Sequence, residues 1–322
     1  MRMTLEQLRV FVAVAERQHV TRAAEALHLT QSAASAAIAA LEVRSGVRLF
    51  DRVGRGIELT GAGRAFLPEA RAVLARAEAA EAVLAELAGL GRGILPVHAS
   101  QTIASYWLPR HLVAFRRAHP GIAVPLSIGN TAQVAAAVSA GTAELGFVEG
   151  ALDEPLLLAS TVAMDQLVVV VAPAHPWATH PPADLSALAR EGEWVLREKG
   201  SGTRSAFEDS LRATGLEPQA LKVTLELPSN ESVRGAVEAG LGATAISASV
   251  AAPSIEAGLL HPVPIALPER AFQVVWHRDR PPSRAAQALL ALLPVDAPDA
   301  VLPGFELAGA FRRGLRPHPP RA

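Results

Sequence analysis

Residues 198–209, EKGSGTRSAFED, set Gly200, Ser201, Gly202 and Thr203 ahead of Arg204 at the start of a run with helical spacing. Two glycines, two hydroxyls and a cation at a helix start suit a small oxyanion, because such a place offers free amides, O–H donors and the positive end of the helix dipole. As a nucleotide loop the stretch fails. A Walker A loop needs lysine where Ala206 stands. A dinucleotide fingerprint needs a third glycine or alanine where Ser205 stands. Lys199 and Arg204 suit phosphate or solvent equally, and both readings stay open.

Two other places have the same character. Ser100, Gln101 and Thr102 follow the strand pattern ILPVHA, and Asn130 and Thr131 follow AVPLSI, as Ser201 and Thr203 follow EWVLRE. Helix capping accounts for hydroxyls and asparagine at any one of these places without a ligand. Three of them facing one cleft favour a bound anion instead. Nothing else adds up to catalysis. The chain has no cysteine, His119, His175 and His261 precede prolines, and His175 and His180 flank Pro176 rather than share a helix face. Glu208 and Asp209 are adjacent and diverge on a helix. Trp107, Trp177, Trp194 and Trp276 read as packing. The expectation is a protein that is not an enzyme, with no metal and no cofactor.

The elements that must position these groups alternate. After residue 93, strand patterns ELGFV, QLVVVVA, EWVLR, LKVTLEL, GATAIS and AFQVVWH interleave with helical ones such as TRSAFEDSLRAT and ESVRGAVEAG. This alternation predicts α/β organisation with a mainly parallel sheet. Crossovers near Ala163 and Ile265 divide it into lobe I, residues 93–164 and 266–294, and lobe II, residues 165–265, with a cleft between. The proline- and arginine-rich tail, 295–322, is expected to be mobile.

The first sixty residues differ. Leu5, Leu8, Val12 and Ala15 mark one helix face, Thr21 can cap a second helix, and Thr30 a third that carries Ala34, Ile38 and Leu41. Three short helices with a tight second turn make a helix-turn-helix, whose third helix would present Thr30, Gln31, Ser32 and Ser35 to base edges and phosphates. VRLFDRVGRGIELT then reads as a two-stranded wing aiming Arg52 and Arg55 at the DNA backbone or minor groove. A three-helix bundle with a hairpin is the plainer alternative. From Thr60 to about Leu90, Phe66, Ala70, Val73, Ala77, Ala80, Leu84 and Leu87 recur at steps of four and three. Such a seam predicts pairing with a second helix, with Phe66, Val73, Leu84 and Leu87 as dimerisation residues, and a helix lying on its own domain is the alternative. Pro68 should kink this helix, and Gly89, Gly91 and Gly93 end it.

AAEALHLTQSAASAAIAALEVRSGVRLFDRVGRGIELTGAGRAFL resembles the N-terminal winged helix-turn-helix of LysR-type transcriptional regulators. Ser32 stands where that family often has proline, and Ala36 and Ala37 where larger polar residues sit, so shape readout, wing and phosphate contacts gain weight. The resemblance covers about residues 3–294. It implies a winged helix-turn-helix domain at 1–60, a linker and dimerisation helix at 61–92, and a two-lobed effector domain like a periplasmic binding protein. It also implies a homodimer or homotetramer, operator DNA and a small-molecule effector as partners, and room for a contact with RNA polymerase. GNTAQV, ELGFVEG and REKGSGTR look most like the branch of sulfur-assimilation and carbon-fixation regulators, whose effectors are small oxyanions or phosphorylated and carboxylated metabolites. A solute-binding protein without transcriptional output is the competing function.

Length and composition agree with a two-domain protein: 322 residues, half of them hydrophobic. No apolar run reaches the roughly 18 residues of a membrane span. The charged N-terminus lacks the solid apolar block of a signal peptide, so the cytoplasm is expected. Net charge is −1, yet residues 1–64 hold nine arginines against six acids, leaving the remainder acidic.

Overall fold

The computed structural model describes residues 3–53, 56–87, 93–150 and 152–294. It contains two compact units, one mainly of residues up to Ile94 and one mainly of residues from Leu95 onward. The tail 295–322, the wing tip Gly54–Arg55 and the glycines 89 and 91 fall outside the described residues. Among the described residues no helix is long and apolar enough to cross a membrane.

The N-terminal unit runs α1 (Leu5–Arg17), α2 (Val20–Ala26), α3 (Gln31–Ser45), β1 (Phe50–Val53), β2 (Gly56–Leu59) and α4 (Gly61–Leu87). Thr4 and Gln7 form a reciprocal capping box that starts α1. The Thr30 hydroxyl accepts the Ala33 amide and starts α3. The expected Thr21 cap is incorrect. His19 Nδ1 accepts the Arg22 amide at 3.4 Å, so α2 begins at Val20 and encloses Thr21. An imidazole acceptor serves there as a hydroxyl oxygen would.

Val10, Val14, Ala23, Ala24, Ala34 and Ile38 pack between the three helices. A second cluster, Leu8, Phe11, Leu41, Leu49 and Ala70, ties α4 to them. Gly63 permits that contact, because a Cβ there would lie 2.1 Å from the Leu49 carbonyl oxygen. The expected dimer seam is corrected at its start by the same packing. Phe66 stacks at 5.0 Å from Phe11 and Ala70 is fully buried, so both belong to the unit's own core. Val73, 43 % exposed, is left on the surface. The side chains of Leu84 and Leu87 lie outside the described residues.

The C-terminal unit carries strands β3 (Val97–Ser100), β4 (Leu126–Gly129), β5 (Leu145–Glu149), β6 (Leu157–Val171), β7 (Glu193–Arg197), β8 (Lys222–Leu227), β9 (Ala243–Ser247) and β10 (Glu269–His277). Their spatial order is β8-β7-β9-β6-β10-β5-β3-β4, with the short strand His261–Pro262 pairing β6. The helices are α5 (Leu108–Ala118), preceded by a π-helical turn at Ile103–Trp107, then α6 (Thr131–Ala140), α7 (Leu185–Glu191), α8 (Gly202–Ala213), α9 (Asn230–Glu238), α10 (Ala248–Glu256) and α11 (Arg284–Leu290).

The outer strands pair in parallel as expected. The central ones do not: β6 runs antiparallel to β9 and β10, and β10 antiparallel to β5. The chain crosses between the two halves once in each direction, so the two crossing strands oppose each other. Opposite Phe272 and Gln273 the register slips, which leaves Val162 as an extra residue on β6. The apolar residues sort accordingly. Trp107, Phe115, Phe147, Phe272 and their neighbours fill lobe I. Trp194, Phe207 and Leu211 fill one face of lobe II, and Val168, Val195, Val233 and Ile246 the other. The tryptophans are packing residues: Trp107, Trp177 and Trp194 are buried, and Trp276 packs against the lobe I core.

Candidate functional site

The ends of β3 and β4 from lobe I meet the ends of β7 and β8 from lobe II around a cavity of about 250 Å³. Gln101, Gly129, Asn130, Gln133, Arg197 and Glu198 are among its walls. Polar bonds bridge the lobes around it. Gln101 accepts the Asn230 amide at 2.8 Å and donates to Glu231 at 2.7 Å, and Asn230 Nδ2 donates to Thr102 Oγ1 at 3.0 Å. On the other side Asn130 Nδ2 donates to Glu198 Oε1 at 3.2 Å. Arg197, buried at the end of β7, donates through Nε and Nη2 to both oxygens of Glu198, at 2.8 and 3.0 Å, and through Nη1 to Asn230 Oδ1 at 2.6 Å. Burial works against the charge of Glu198, but the hydrogen bonds and field of Arg197 outweigh it and hold the carboxyl below its ordinary value.

A second, buried cluster gathers where α6 and α8 begin. Gly202, the first residue of α8, is pressed against lobe I. A Cβ there would lie 2.5 Å from Thr131 Oγ1 and 3.0 Å from Glu149 Oε2. Thr131 donates to that carboxylate at 3.2 Å. The positive end of the α8 dipole therefore already has an anion beside it, Glu149 at the end of β5. Thr203 Oγ1 accepts from Arg270 at 3.1 Å, and Arg270 pairs with Asp165 at 2.7 and 2.8 Å. Asp165 also accepts from Ser247. Burial dominates at Asp165 and raises its carboxyl above the ordinary value in spite of Arg270.

The sequence-predicted groups thus fall into two places. Gln101 and Asn130 line the cavity, whereas Thr131 and Thr203 belong to the buried cluster and Thr102 is held by Asn230. Capping is part of the account at α6, where Asn130 and Gln133 exchange side-chain bonds to each other's amides and the Gly200 carbonyl accepts the Ala132 amide. Ser201 is buried at the cap position of α8 and makes no cap bond. Ser100, 2 % exposed, has a hydroxyl with no protein partner. Arg204 is a structural cation: it bonds Glu208 at 2.7 Å and the Arg197 carbonyl at 3.0 Å, and pairs with Glu226. Sequence reasoning overlooked Glu149, Asp165, Arg197, Glu198, Asn230, Glu231 and Arg270. For Asp165 and Arg270 the local signal is a charge inside an apolar strand, in MDQLVVVV and ERAFQVVW. Among the described residues no group of three or more histidines and acids could hold a metal.

On the N-terminal unit, Thr30, Gln31 and Ser32 are exposed at the start of α3, with Thr30 bonded to Ser32 and Gln31 to Ser35, each at 3.0 Å. Gln31 and Arg52 line one concavity together with His19, Thr21 and Gly56. Helix start and wing therefore offer donors on one face. Arg55 lies outside the described residues.

Comparison with known proteins places both units. Residues 5–64 match the family described as bacterial regulatory helix-turn-helix protein, lysR family, and residues 88–295 match the LysR substrate binding domain. The chain is 36 % identical over 293 residues to the uncharacterized HTH-type transcriptional regulator YeiE of Escherichia coli K12, covering 90 % of this chain and 97 % of that one. It is also 36 % identical over 248 residues to the RuBisCO operon transcriptional regulator of Allochromatium vinosum, covering 77 % and 80 %. Among solved structures, the regulatory domain of Synechocystis PCC6803 CcmR in complex with 2-PG matches at 27 % identity and a TM-score of 0.57, over 63 % of this chain and 96 % of that one. The helix-turn-helix match at one end also excludes a solute-binding protein without DNA as the description of the whole chain. With both family domains present in order along one polypeptide, the chain belongs to the LysR-type DNA-binding transcriptional regulators, proteins that couple a helix-turn-helix to a ligand-binding effector domain and are not enzymes.

Proposed function

We propose that the effector of this regulator is a small anionic metabolite held in the cavity between the lobes, and that it acts in the cytoplasm by changing how paired helix-turn-helix domains meet operator DNA. The observation that carries the reading is Arg197. A buried guanidinium forms one wall of a cavity whose other polar walls are the amides of Gln101, Asn130 and Gln133 and the carboxylate of Glu198; the guanidinium and the amides are donors that suit a carboxylate or phosphate. The likeness to CcmR, which is described with 2-PG, supports the same class of ligand.

On this reading, the remaining candidates Thr102, Thr131, Ser201 and Thr203 shape the cleft from behind, through Asn230, Glu149 and Arg270. Thr30, Gln31, Ser32, Ser35, Arg52 and Arg55 meet DNA. Val73, exposed on α4, together with Leu84 and Leu87 further along that helix, pairs with a second copy. An effector shifts the arrangement of the lobes only by its differential affinity for the two arrangements.

The test is a thermal-shift screen of the full chain with sulfate, phosphate and phosphoglycolate, at ionic strength matched with chloride. A ligand at a hundred times its Kd adds about 2.7 kcal/mol, which for a domain of this size raises Tm by several degrees. At least one of these anions is expected to do so. No shift with any of the three anions overturns the reading.

A further inference from the structure

Each positive feature of the cleft is met by a carboxylate from this same chain. The α8 amino end faces Glu149, Arg270 faces Asp165, and Arg197 faces Glu198. The first two pairings are sealed in the buried cluster. The third is different, since the Glu198 side chain is 24 % exposed and stands in the wall of the cavity, with both its oxygens on the Arg197 fork.

We propose that Glu198 is the protein's own stand-in for the anionic group of the effector, and that binding consists of its displacement from Arg197. The inference rests on the anionic-effector reading above and deepens it. A carboxylate, a phosphate and a sulfate present the same face to a guanidinium, two oxygens against two parallel N–H donors, so they compete for one fork. The backbone of Glu198 is fixed, its amide bonded to the Leu227 carbonyl and its carbonyl accepting the Ser201 amide. Only the side chain has to turn away, toward solvent it already touches, and the exchange needs no movement of β7 or α8.

Glu198 also accepts from Asn130 across the cleft. The carboxylate therefore joins the lobes as well as covering Arg197. When an effector takes Arg197 it removes that link and must supply its own to Asn130. An anion able to reach both groups restores closure, whereas one that reaches only the arginine leaves the lobes with a bond fewer. Glu198 would in this way select effectors by length as well as by charge.

Removing the internal competitor should raise affinity. In isothermal titration of the full chain with sulfate, phosphate and phosphoglycolate at fixed ionic strength, Glu198→Gln is expected to bind anion about five- to tenfold more tightly than the natural chain. That equals about 1–1.4 kcal/mol. Arg197→Gln added to Glu198→Gln should abolish the gain. Glu198→Asp, a smaller disturbance to folding, should give a smaller gain of the same sign, and circular dichroism of each unliganded variant checks its fold. Binding by Glu198→Gln when the natural chain binds too weakly to measure also supports the proposal. Equal or weaker binding by Glu198→Gln overturns the displacement idea and leaves the anionic effector standing. Absence of binding by both proteins overturns the two together.

Discussion

Arg270 and Asp165 stand directly opposite each other on β10 and β6 and are both almost wholly buried. Breaking such a pair by removing one partner strands the other charge, at a cost of about 3–5 kcal/mol, while replacing both by apolar residues is often close to neutral. Arg270→Leu should therefore lower the urea unfolding midpoint sharply, and Asp165→Leu added to it should recover much of the loss. If the double variant is no more stable than Arg270→Leu, the pair is not the source of the effect. These residues also show the limit of the sequence at this scale. Gln101 and Asn130, which line the cavity, could be singled out because they follow from local order, strand then helix. The charges could not be paired, because Arg270 and Asp165 are 105 positions apart and their meeting depends on a register that no local pattern records.

At the scale of elements, local chemistry was most legible where a cap or a turn decides the outcome. Thr30 and the hairpin with its Gly56 strand start lie where their residue types direct them. His19 was missed because an imidazole is a rarer cap than the threonine two residues later. The antiparallel centre of the sheet was missed because β6 and β10 have the same apolar run whichever way they are paired. α3 and the wing carry a prediction of their own. Arg52→Ala, at the rim of the concavity that also holds Gln31, should weaken DNA binding about equally across sequences. It should also reduce the slope of log affinity against log salt by about one, as the loss of a single phosphate contact does. Fluorescence anisotropy at several salt concentrations measures both quantities, and the anion-induced thermal shift should be unchanged. A loss confined to one operator sequence would instead make Arg52 a base-reading residue.

For the whole molecule, the division into a helix-turn-helix unit and a two-lobed unit was visible in the change of hydrophobic period near residue 93. On α4, a period of four and three does not say whether a face is turned to its own domain or to another chain. Phe66 and Ala70 answer to the former. If Val73, Leu84 and Leu87 pair two copies, as proposed above, Leu84→Glu is expected to shift the chain from dimer to monomer in sedimentation velocity. Operator affinity should fall by roughly 10²-fold or more as bivalency is lost. A variant that stays dimeric would place the interface elsewhere.

The fifteen-residue strand β6 has a mechanical consequence. Its first part is laddered to β10 through Gln166 and its last part to β9 from Leu167, so one ribbon of hydrogen bonds, interrupted at the Val162 bulge, runs through both lobes. Pulling the lobes apart along the sheet would tear that ladder, whereas winding the ribbon about its own length leaves the bonds intact. The extra residue at Val162 loosens the ladder there and increases the local twist. Along β6 the sheet is therefore stiff against stretching, while torsion about the strand leaves its ladder in place.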